Sequence, residues 1–229
     1  MRDPSPLSSR PAASRRTTYT IDVVVLSSRG KSLGILCQAA IPRKKARVLP
    51  YGDRRRGESL ETCARRVVRE LVGHNPGWME QIGAFTEGRH ESGAEVSIGF
   101  VAVLPGTSAA PIRGGDWATP GELNLLAPRQ RSVTSAALVA VRTRMDHAPI
   151  AFHLLPVQFT LTELQQTYEL LLGRRLHKAS FRRALQAAYL VEPTDEWRSE
   201  GRGRPAQFFS FAPRKRRGGR RGVRFDSIV

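Results

Sequence analysis

The stretch from Gly52 to Gly73 predicts a loop that runs into an amphipathic helix, and it constrains the fold more than any other part of the chain. Ser59 is placed to cap the start of the helix, and Glu61 follows in the first turn, where the helix dipole favours an acid. Gly73 stands where a helix commonly ends in the left-handed conformation. Apolar residues at helical spacing supply one face that can be buried: Leu60, Ala64, Val67 or Val68, and Leu71.

Apolar segments on either side of this helix predict β-strands. Two precede it, Thr18 to Leu26 and Leu33 to Ile41, with a turn over residues 27–30. Two follow it, Trp78 to Thr86 and Val96 to Leu104, joined by a polar connection over residues 87–94.

A second helix is predicted over Ser132 to His147, where Ala136, Leu138, Val139 and Val141 give an apolar face. The pair Ala148-Pro149 ends this helix, and with it the first domain. His147 and His153 lack partners at metal-ligand spacing, so we interpret both as structural residues.

The central stretch also resembles the Nudix box. Gly52, Glu58, Arg66, Val68, Glu70 and Gly73 are in register with that motif, and Leu49-Pro50-Tyr51-Gly52 is similar to its Leu-Pro-Gly-Gly lead-in. The resemblance implies a Nudix-like α/β/α sandwich with a cleft for a diphosphate-containing ligand.

The sequence departs from the Nudix pattern at the residues that would bind a metal. Nudix hydrolases hold magnesium with the Glu residues of Arg-Glu-apolar-any-Glu-Glu, but two of these positions are Val67 and Leu71, and only Glu70 remains. Magnesium is held mainly by carboxylate, water and phosphate oxygens. A single carboxylate beside two aliphatic residues is a poor site for a metal that activates water. We therefore predict no catalytic residue, no bound metal and no hydrolase activity.

The resemblance places candidate effector-binding residues around the cleft. Arg43 and Lys44 precede the lead-in, where bases can hold a diphosphate without a metal, although a solvated basic loop remains an alternative. Trp117 can stack on an adenine ring, although a packing role is also open. The predicted effector-binding residues are Arg43, Lys44, Tyr51, Arg66, Glu70 and Trp117.

Charge indicates the kind of partner. The net charge of +17 and the sequence pI near 11.3 favour a polyanion as the binding partner, either nucleic acid or an acidic membrane surface.

Cys37 and Cys63 are too few for a disulfide framework and lack zinc-site spacing, which suits a reducing cytoplasm. No apolar run approaches the ~20 residues of a membrane-spanning helix, and the N-terminus lacks the apolar core of a signal peptide. We expect a cytoplasmic protein with no membrane partner.

Residues 159–211 predict a small winged helix-turn-helix. Thr160 and Glu163 fit a capping box, and Gly173 ends the first helix. A second helix is predicted over Lys178 to Ala188, and two short strands, residues 189–192 and Gln207 to Phe211, flank a polar loop as a wing. The buried stripe of the first helix comprises Leu161, Leu164, Tyr168, Leu171 and Leu172.

This module resembles the C-terminal domain of the NrtR family, the Nudix-related transcriptional regulators of NAD metabolism. The matching stretches are LLPVQFTLTELQQTYELLLGRRL, KASFRRAL and GRGRPAQFF, and the resemblance covers residues 18–211. It implies a homodimer that binds a palindromic double-stranded operator near NAD-biosynthesis genes. It also implies an adenine-nucleotide effector (ADP-ribose, NAD or ATP) and no required cofactor. A related NadQ-like branch, which senses ATP or NAD, stays open.

The resemblance implies that the second helix and the wing contact DNA. A bidentate arginine on the helix would read a guanine, worth about 1–3 kcal/mol against a wrong base. Arginines between glycines in the wing would reach a minor groove or phosphates. The predicted DNA-binding residues are Lys178, Ser180, Arg182, Arg183, Arg202, Arg204 and Gln207.

The sequence thus predicts an α+β protein, with a Nudix-like α/β/α sandwich domain followed by a C-terminal winged helix-turn-helix domain. The predicted parts are a disordered arm (1–16), an effector-sensing domain (17–148), a DNA-binding domain (149–211) and a basic disordered tail (212–229). The favoured function is a transcriptional repressor. Two alternatives remain: an active Nudix hydrolase of a nucleoside diphosphate derivative with a nucleic-acid-targeting tail, and an RNA-binding adaptor that uses the Arg/Gly tail.

Overall fold

A computed structural model describes residues 18–39, 47–106, 115–199 and 205–212 of the chain. Two short 3-10 helices cover Pro120–Leu125 and Ile150–Leu154. The α-helices are α1 Leu60–Val72, α2 Pro128–Arg144, α3 Leu161–Leu172 and α4 Lys178–Ala188. The strands are β1 Tyr19–Arg29, β2 Ser32–Ala39, β3 Arg47–Val48, β4 Tyr51–Gly52, β5 Trp78–Phe85, β6 Val96–Leu104, β7 Gly115–Ala118, β8 Gln158–Thr160, β9 Val191–Arg198 and β10 Ala206–Phe211.

The larger sheet has the strand order β3-β2-β1-β6-β5, with β4 also paired to β1 and β7 to β2. β1 and β6 pair in parallel, whereas β2 and β5 add antiparallel. Residues 20–27 of β1 are all buried because helices cover both faces of the sheet. Ile21 and Val23 pack with α1, and Val24 and Leu26 pack with α2, which is the predicted α/β/α sandwich.

Helix α1 forms as its local signals predict. The Ser59 hydroxyl accepts a hydrogen bond from the Thr62 N–H at 3.0 Å, and Gly73 ends the helix with φ +83°. Val67 and Val68 are buried against the sheet, with Leu60 and Leu71 at the edges of the same contact.

The β1–β2 hairpin turns later than predicted. β1 continues through Arg29, and the turn is formed by Gly30 and Lys31, with Gly30 at φ +61°. The predicted turn at residues 27–29 is wrong because Ser27, Ser28 and Arg29 pair with β2 in regular antiparallel register. Ile41, the predicted end of the second strand, lies outside the described residues.

Helix α2 differs most from the prediction of Ser132 to His147. It begins at Pro128, whose fixed φ suits the first helical position, and ends at Arg144. Val139 is 59% exposed and Ala136 is only half-buried, so the predicted apolar face is partly wrong. The buried face is rotated toward the sheet and comprises Val133, Ala137, Leu138 and Val141.

The C-terminal part contains α3, α4 and a three-stranded sheet of order β8-β10-β9. Both helices have their predicted bounds, and the Thr160–Glu163 capping box is present. The first wing strand begins and ends later than the predicted residues 189–192, because it runs from Val191 to Arg198. Tyr189 instead ends α4 in the left-handed conformation, with φ +51°. β8 was not predicted; its three residues pair with β10, nearly fifty residues later in the chain.

The two parts share one apolar core. Val141 and Met145 of the α2 region belong to the same buried cluster as Tyr168 and Leu171 of α3. Phe152, in the 3-10 helix between them, contacts both sides, with its ring centroid 6.4 Å from that of Tyr168. Among the described helices, none is both long and apolar enough to cross a membrane.

Candidate functional site

A nearly buried ion pair fixes the loop before α1. Arg66 Nε and Nη2 donate to the two carboxylate oxygens of Glu58 at 2.9 and 3.0 Å, and Nη2 also donates to the Asp53 carbonyl at 2.8 Å. The side chains of Arg66 and Glu58 are only 10% and 9% exposed. Hydrogen bonding to this guanidinium lowers the pKa of Glu58 to about 2. The Glu58 carboxylate is therefore committed to holding the loop.

The remaining residues of the Nudix-like box do not complete a metal site. Glu70 accepts from Arg55 Nη2 at 3.2 Å and lies 3.5 Å from Arg66 Nη1. Val67 is 4% exposed and points toward Gly52, where a Cβ would lie 2.8 Å from Val67 Cγ2. A magnesium ion would meet two carboxylates, Glu58 and Glu70, that arginines already engage, so the residues present do not fit it. Within the described residues, no group of three or more His, Cys, Asp or Glu is placed to hold a metal.

A buried polar cluster on the α2 face of the sheet was missed by the sequence analysis. His90 Nε2 lies 3.2 Å from Asp22 Oδ1, and both side chains are inaccessible to solvent. His90 Nδ1 accepts from the Ser92 N–H at 3.1 Å, so the ring proton of a neutral His90 is on Nε2 and faces the carboxylate. The contact lacks the alignment of a regular hydrogen bond, and among the described residues neither oxygen of Asp22 has a hydrogen-bond partner. The only sequence signal was a carboxylate inside the β-branched run of the first strand.

The start of α2 holds the loop that carries His90. Arg129 is buried, and its guanidinium donates to the carbonyls of Thr86 (3.1 Å), Glu87 (3.0 Å), Gly88 and Ala94 (2.8 Å). Next to Arg129, Gln130 Oε1 accepts from the Leu49 N–H at 3.2 Å. The first turn of α2 therefore ties the β5–β6 loop and the lead-in to the same helix.

An open cavity lies between the loop that the Glu58–Arg66 pair fixes and the β5–β6 loop that carries His90. Its volume is about 520 Å³, and it is lined by Thr18, Tyr19, Asp53, Arg54, Ser92, Gly93 and Ala94. Asp53 links it to the Glu58–Arg66 pair, and Ser92 links it to His90. Arg54 supplies a cation at the wall, where its Nε donates to the Tyr19 hydroxyl at 2.8 Å.

The structure brings together only some of the predicted effector-binding residues. Arg66 and Glu70 are adjacent on α1, and the rings of Tyr51 and His90 are perpendicular, with centroids 4.9 Å apart. Trp117 is on β7, where its ring packs on the α1-side core under the Arg29 guanidinium, 4.1 Å from carbon to centroid. The predicted Arg43 and Lys44 lie outside the described residues.

Helix α4 has one apolar and one basic face. Phe181 and Leu185 are buried, whereas Lys178, Arg182 and Arg183 are exposed. Ser180 is half-buried, with its hydroxyl 3.2 Å from His177 Nδ1. Gln186, four residues after Arg182, lies on the same exposed stripe. Helical spacing alone would have identified it, although it is not among the predicted DNA-binding residues.

The wing uses some of its polar groups internally. Gln207 Nε2 donates to the Thr194 carbonyl at 3.1 Å, across the β9–β10 hairpin. Arg198 Nη1 forms an ion pair with Glu163 Oε1 at 2.7 Å, which joins the wing to the start of α3. The predicted Arg202 and Arg204 lie outside the described residues.

Comparison with known proteins agrees with this architecture. Residues 151–211 match the family described as the NrtR DNA-binding winged helix domain. A curated relative, the "ADPR responsive transcriptional repressor NtrR" of Acinetobacter baylyi, is 29% identical over 204 residues, which are 84% of this chain and 81% of that protein.

Solved structures share the fold over most of the chain. Shewanella oneidensis NrtR has a TM-score of 0.72 at 23% identity and covers 86% of this chain and 94% of its own. The same protein in complex with a 27mer DNA has a TM-score of 0.71 at 24% identity, covering 85% and 94%. A MutT/nudix family protein from Enterococcus faecalis has a TM-score of 0.67 at 20% identity, covering 87% and 89%. The chain therefore carries an NrtR-type DNA-binding winged helix domain behind a Nudix-type fold, as its resemblance to the NrtR-like regulators predicts.

Proposed function

We propose that this protein is a DNA-binding transcriptional repressor of NAD-metabolism genes whose first domain senses an ADP-ribose-type nucleotide without hydrolysing it. The observation that carries the proposal is the NrtR winged helix domain of residues 151–211, together with the exposed basic face of α4. A helix that buries one face in its domain and presents cations on the other suits the major groove. The net charge of +17 complements the phosphate backbone.

In this proposal the DNA contacts divide by chemistry. Arg182 and Arg183 read base edges from α4, and Lys178 and Ser180, in its first turn, lie beside the base edges and the flanking phosphates. Gln186 extends the exposed stripe and joins the proposed contacts. Arg202, Arg204 and Gln207 act from the wing. Residues 149–211 form the proposed DNA-binding domain. The predicted arm over 1–16, and all but the first residue of the predicted basic tail over 212–229, lie outside the described residues.

Residues 17–148 form the proposed sensor, with ADP-ribose as the first candidate because the Acinetobacter relative is ADPR responsive. NAD and ATP are the alternatives. The cavity bounded by the Glu58–Arg66 loop and the β5–β6 loop offers a place for the nucleotide, with Arg54 as an added cation. The proposed effector-binding residues remain Arg43, Lys44, Tyr51, Arg66, Glu70 and Trp117. Adenine stacking on Trp117 would require Arg29 to leave the ring face.

Loss of hydrolysis follows from the residues that occupy the box. Val67 and Leu71 supply no ligand, and Glu58 is held by Arg66. We propose that the nucleotide is bound and released intact. A homodimer in the cytoplasm, with two winged helices for two half-sites, completes the proposal.

The test is fluorescence anisotropy of the full-length protein on DNA from its own upstream region, with scrambled DNA as the control. ADP-ribose, NAD and ATP are added in turn, and magnesium-dependent turnover of each is followed in parallel. We expect specific binding that one nucleotide alters, without turnover. Equal binding to scrambled DNA would contradict the repressor, robust turnover would establish the hydrolase, and similar affinity for structured RNA would favour the RNA adaptor.

A further inference from the structure

We propose that the first domain itself contacts the DNA backbone, through Lys31 in the β1–β2 turn beside the helix-turn-helix. The inference rests on the proposed function, since it adds a phosphate contact to the same protein–DNA complex. The new element is that part of the DNA interface belongs to the Nudix-type domain, whereas the proposed function places every DNA contact in the winged helix domain.

The two domains meet at an open cavity of about 370 Å³. Gly30 and Lys31 line it from the β1–β2 turn, and the second half of α3 and the turn that starts at Gly173 line it from the C-terminal part. Lys31 therefore lies on the same surface as the turn between α3 and α4. The other lining residues are Gln166, Glu169, Leu170, Arg174 and Arg175.

The charge of this surface is positive and largely uncompensated. Glu169 is the one acid among the lining residues, and its side chain is 11% exposed. Its oxygens already accept from the Leu176 N–H at 2.9 Å and from Arg175 Nη1 at 3.3 Å. Within the described part of the chain, no carboxylate forms an ion pair with Lys31 or Arg174. A polyanion is the ligand that such a surface favours.

A further cation lies at the rim of the cavity. A Cβ built on Gly173 would be 3.2 Å from Nη2 of Arg142, which extends from the end of α2. Arg142 Nε donates to the Leu171 carbonyl at 3.2 Å, so this guanidinium is held in place by α3. Cations from both domains therefore converge beside the α3–α4 turn.

The position of α4 favours DNA over a free anion as the occupant. α4 begins at Lys178, three residues after Arg175. In a helix-turn-helix the N-terminal residues of the second helix contact base edges in the major groove. Docking α4 in this way brings Arg174 and Arg175 to the flanking backbone, where phosphate contacts fix the register. Lys31 is then also close to the DNA backbone, because it lines the same cavity as Arg174 and Arg175.

The experiment measures the salt dependence of operator binding by full-length Lys31→Ala and wild type, between about 50 and 200 mM salt. In the proposed homodimer the substitution removes one phosphate contact from each protomer, so the slope of log K against log salt should fall by about 1.8 and the affinity at about 0.15 M salt by about thirtyfold. Lys31→Arg should retain the wild-type slope. Arg131→Ala is the matched control, since Arg131 is exposed near the other end of α2, about 16 Å along the axis from Arg142.

The outcomes separate this inference from the proposed function. An unchanged slope for Lys31→Ala, with weakened binding by Arg182→Ala, would overturn the Lys31 contact and leave the repressor intact. Absence of specific DNA binding by the wild type would overturn both. Calorimetric titration with pyrophosphate, without DNA, should give no heat that depends on Lys31. Lys31-dependent heat would identify a small-anion site and overturn the assignment to the DNA backbone.

Discussion

Arg142 Nε donates to the backbone carbonyl of Leu171 at 3.2 Å, which joins the C-terminal end of α2 to the C-terminal end of α3. At the N-terminal end of the same helix, Arg129 holds four carbonyls of the β5–β6 loop. The 17-residue helix spans about 25 Å. A single rigid element thus connects the wall of the proposed effector cavity with the helix-turn-helix.

Arg142→Ala should weaken the coupling between effector and operator while leaving each binding event in place. The effector effect on DNA affinity in a coupled system is typically about 5–150-fold, and the variant should lose most of whatever factor the wild type shows. Anisotropy with and without ADP-ribose gives the ratio directly. Arg142→Lys keeps the charge and separates loss of the α2–α3 contact from loss of a cation. An unchanged ratio in Arg142→Ala would place the coupling elsewhere.

Arg182→Ala should weaken operator binding by about 1–3 kcal/mol for each half-site that the proposed homodimer occupies, because an exposed arginine on α4 is placed to read a base edge. Its nucleotide affinity should match that of the wild type, since none of the proposed effector-binding residues lies on α4. Competition with operators altered one base pair at a time would show relaxed specificity at one position. A uniform loss over all operators would instead indicate a phosphate contact.

Arg129→Ala should destabilise the fold by about 3 kcal/mol, because it leaves several buried carbonyls without a donor. Urea unfolding measures this difference. Arg131→Ala, which removes an exposed arginine two residues later, should change the stability by no more than about 0.5 kcal/mol. Hydrogen exchange should increase mainly in residues 86–94. Equal stability of the two variants would show that the loop is held by other contacts.

The Glu58–Arg66 pair predicts a pH dependence of stability. Glu58 has its pKa lowered from 4.5 to about 2, so the folded state binds this proton less readily than the unfolded state. The stability that the pair provides is complete above about pH 4.5 and is lost as the pH falls toward 2. Glu58→Gln should therefore lower the melting temperature at neutral pH and reduce its acid dependence between these values. Identical acid profiles for variant and wild type would contradict this role of Glu58.

The parts of the fold that local signals specify could be predicted from the sequence. α1 and α3 carry their caps and their apolar stripes within a dozen residues, and α4 begins and ends where its pattern does. The predicted start of α2 was wrong because Arg129 and Gln130 are residue types that are usually solvated, and only tertiary contacts bury them. β8 was not predicted because a strand of three residues is too short to show an alternating apolar pattern, and because its partner β10 is distant in the chain.

The candidate site was predicted less completely for the same physical reason. The Arg66–Glu70 contact is local to one helix turn and follows from spacing. The Asp22–His90 contact joins a strand to a loop 68 residues later, so no pattern in the sequence links the two. Trp117 was assigned by residue type, whereas its environment is set by Arg29 on the neighbouring hairpin.

The shared apolar core has a consequence for how the chain can be divided. Tyr168 and Leu171 of the winged helix pack in one cluster with Val141 and Met145 of the preceding domain. A cut near residue 148 would expose both halves of that cluster to water, at about 25 cal/mol for each Å² of apolar surface. The boundary between the proposed sensing and DNA-binding parts therefore passes through a shared apolar cluster. An isolated winged helix would lack part of its own interior.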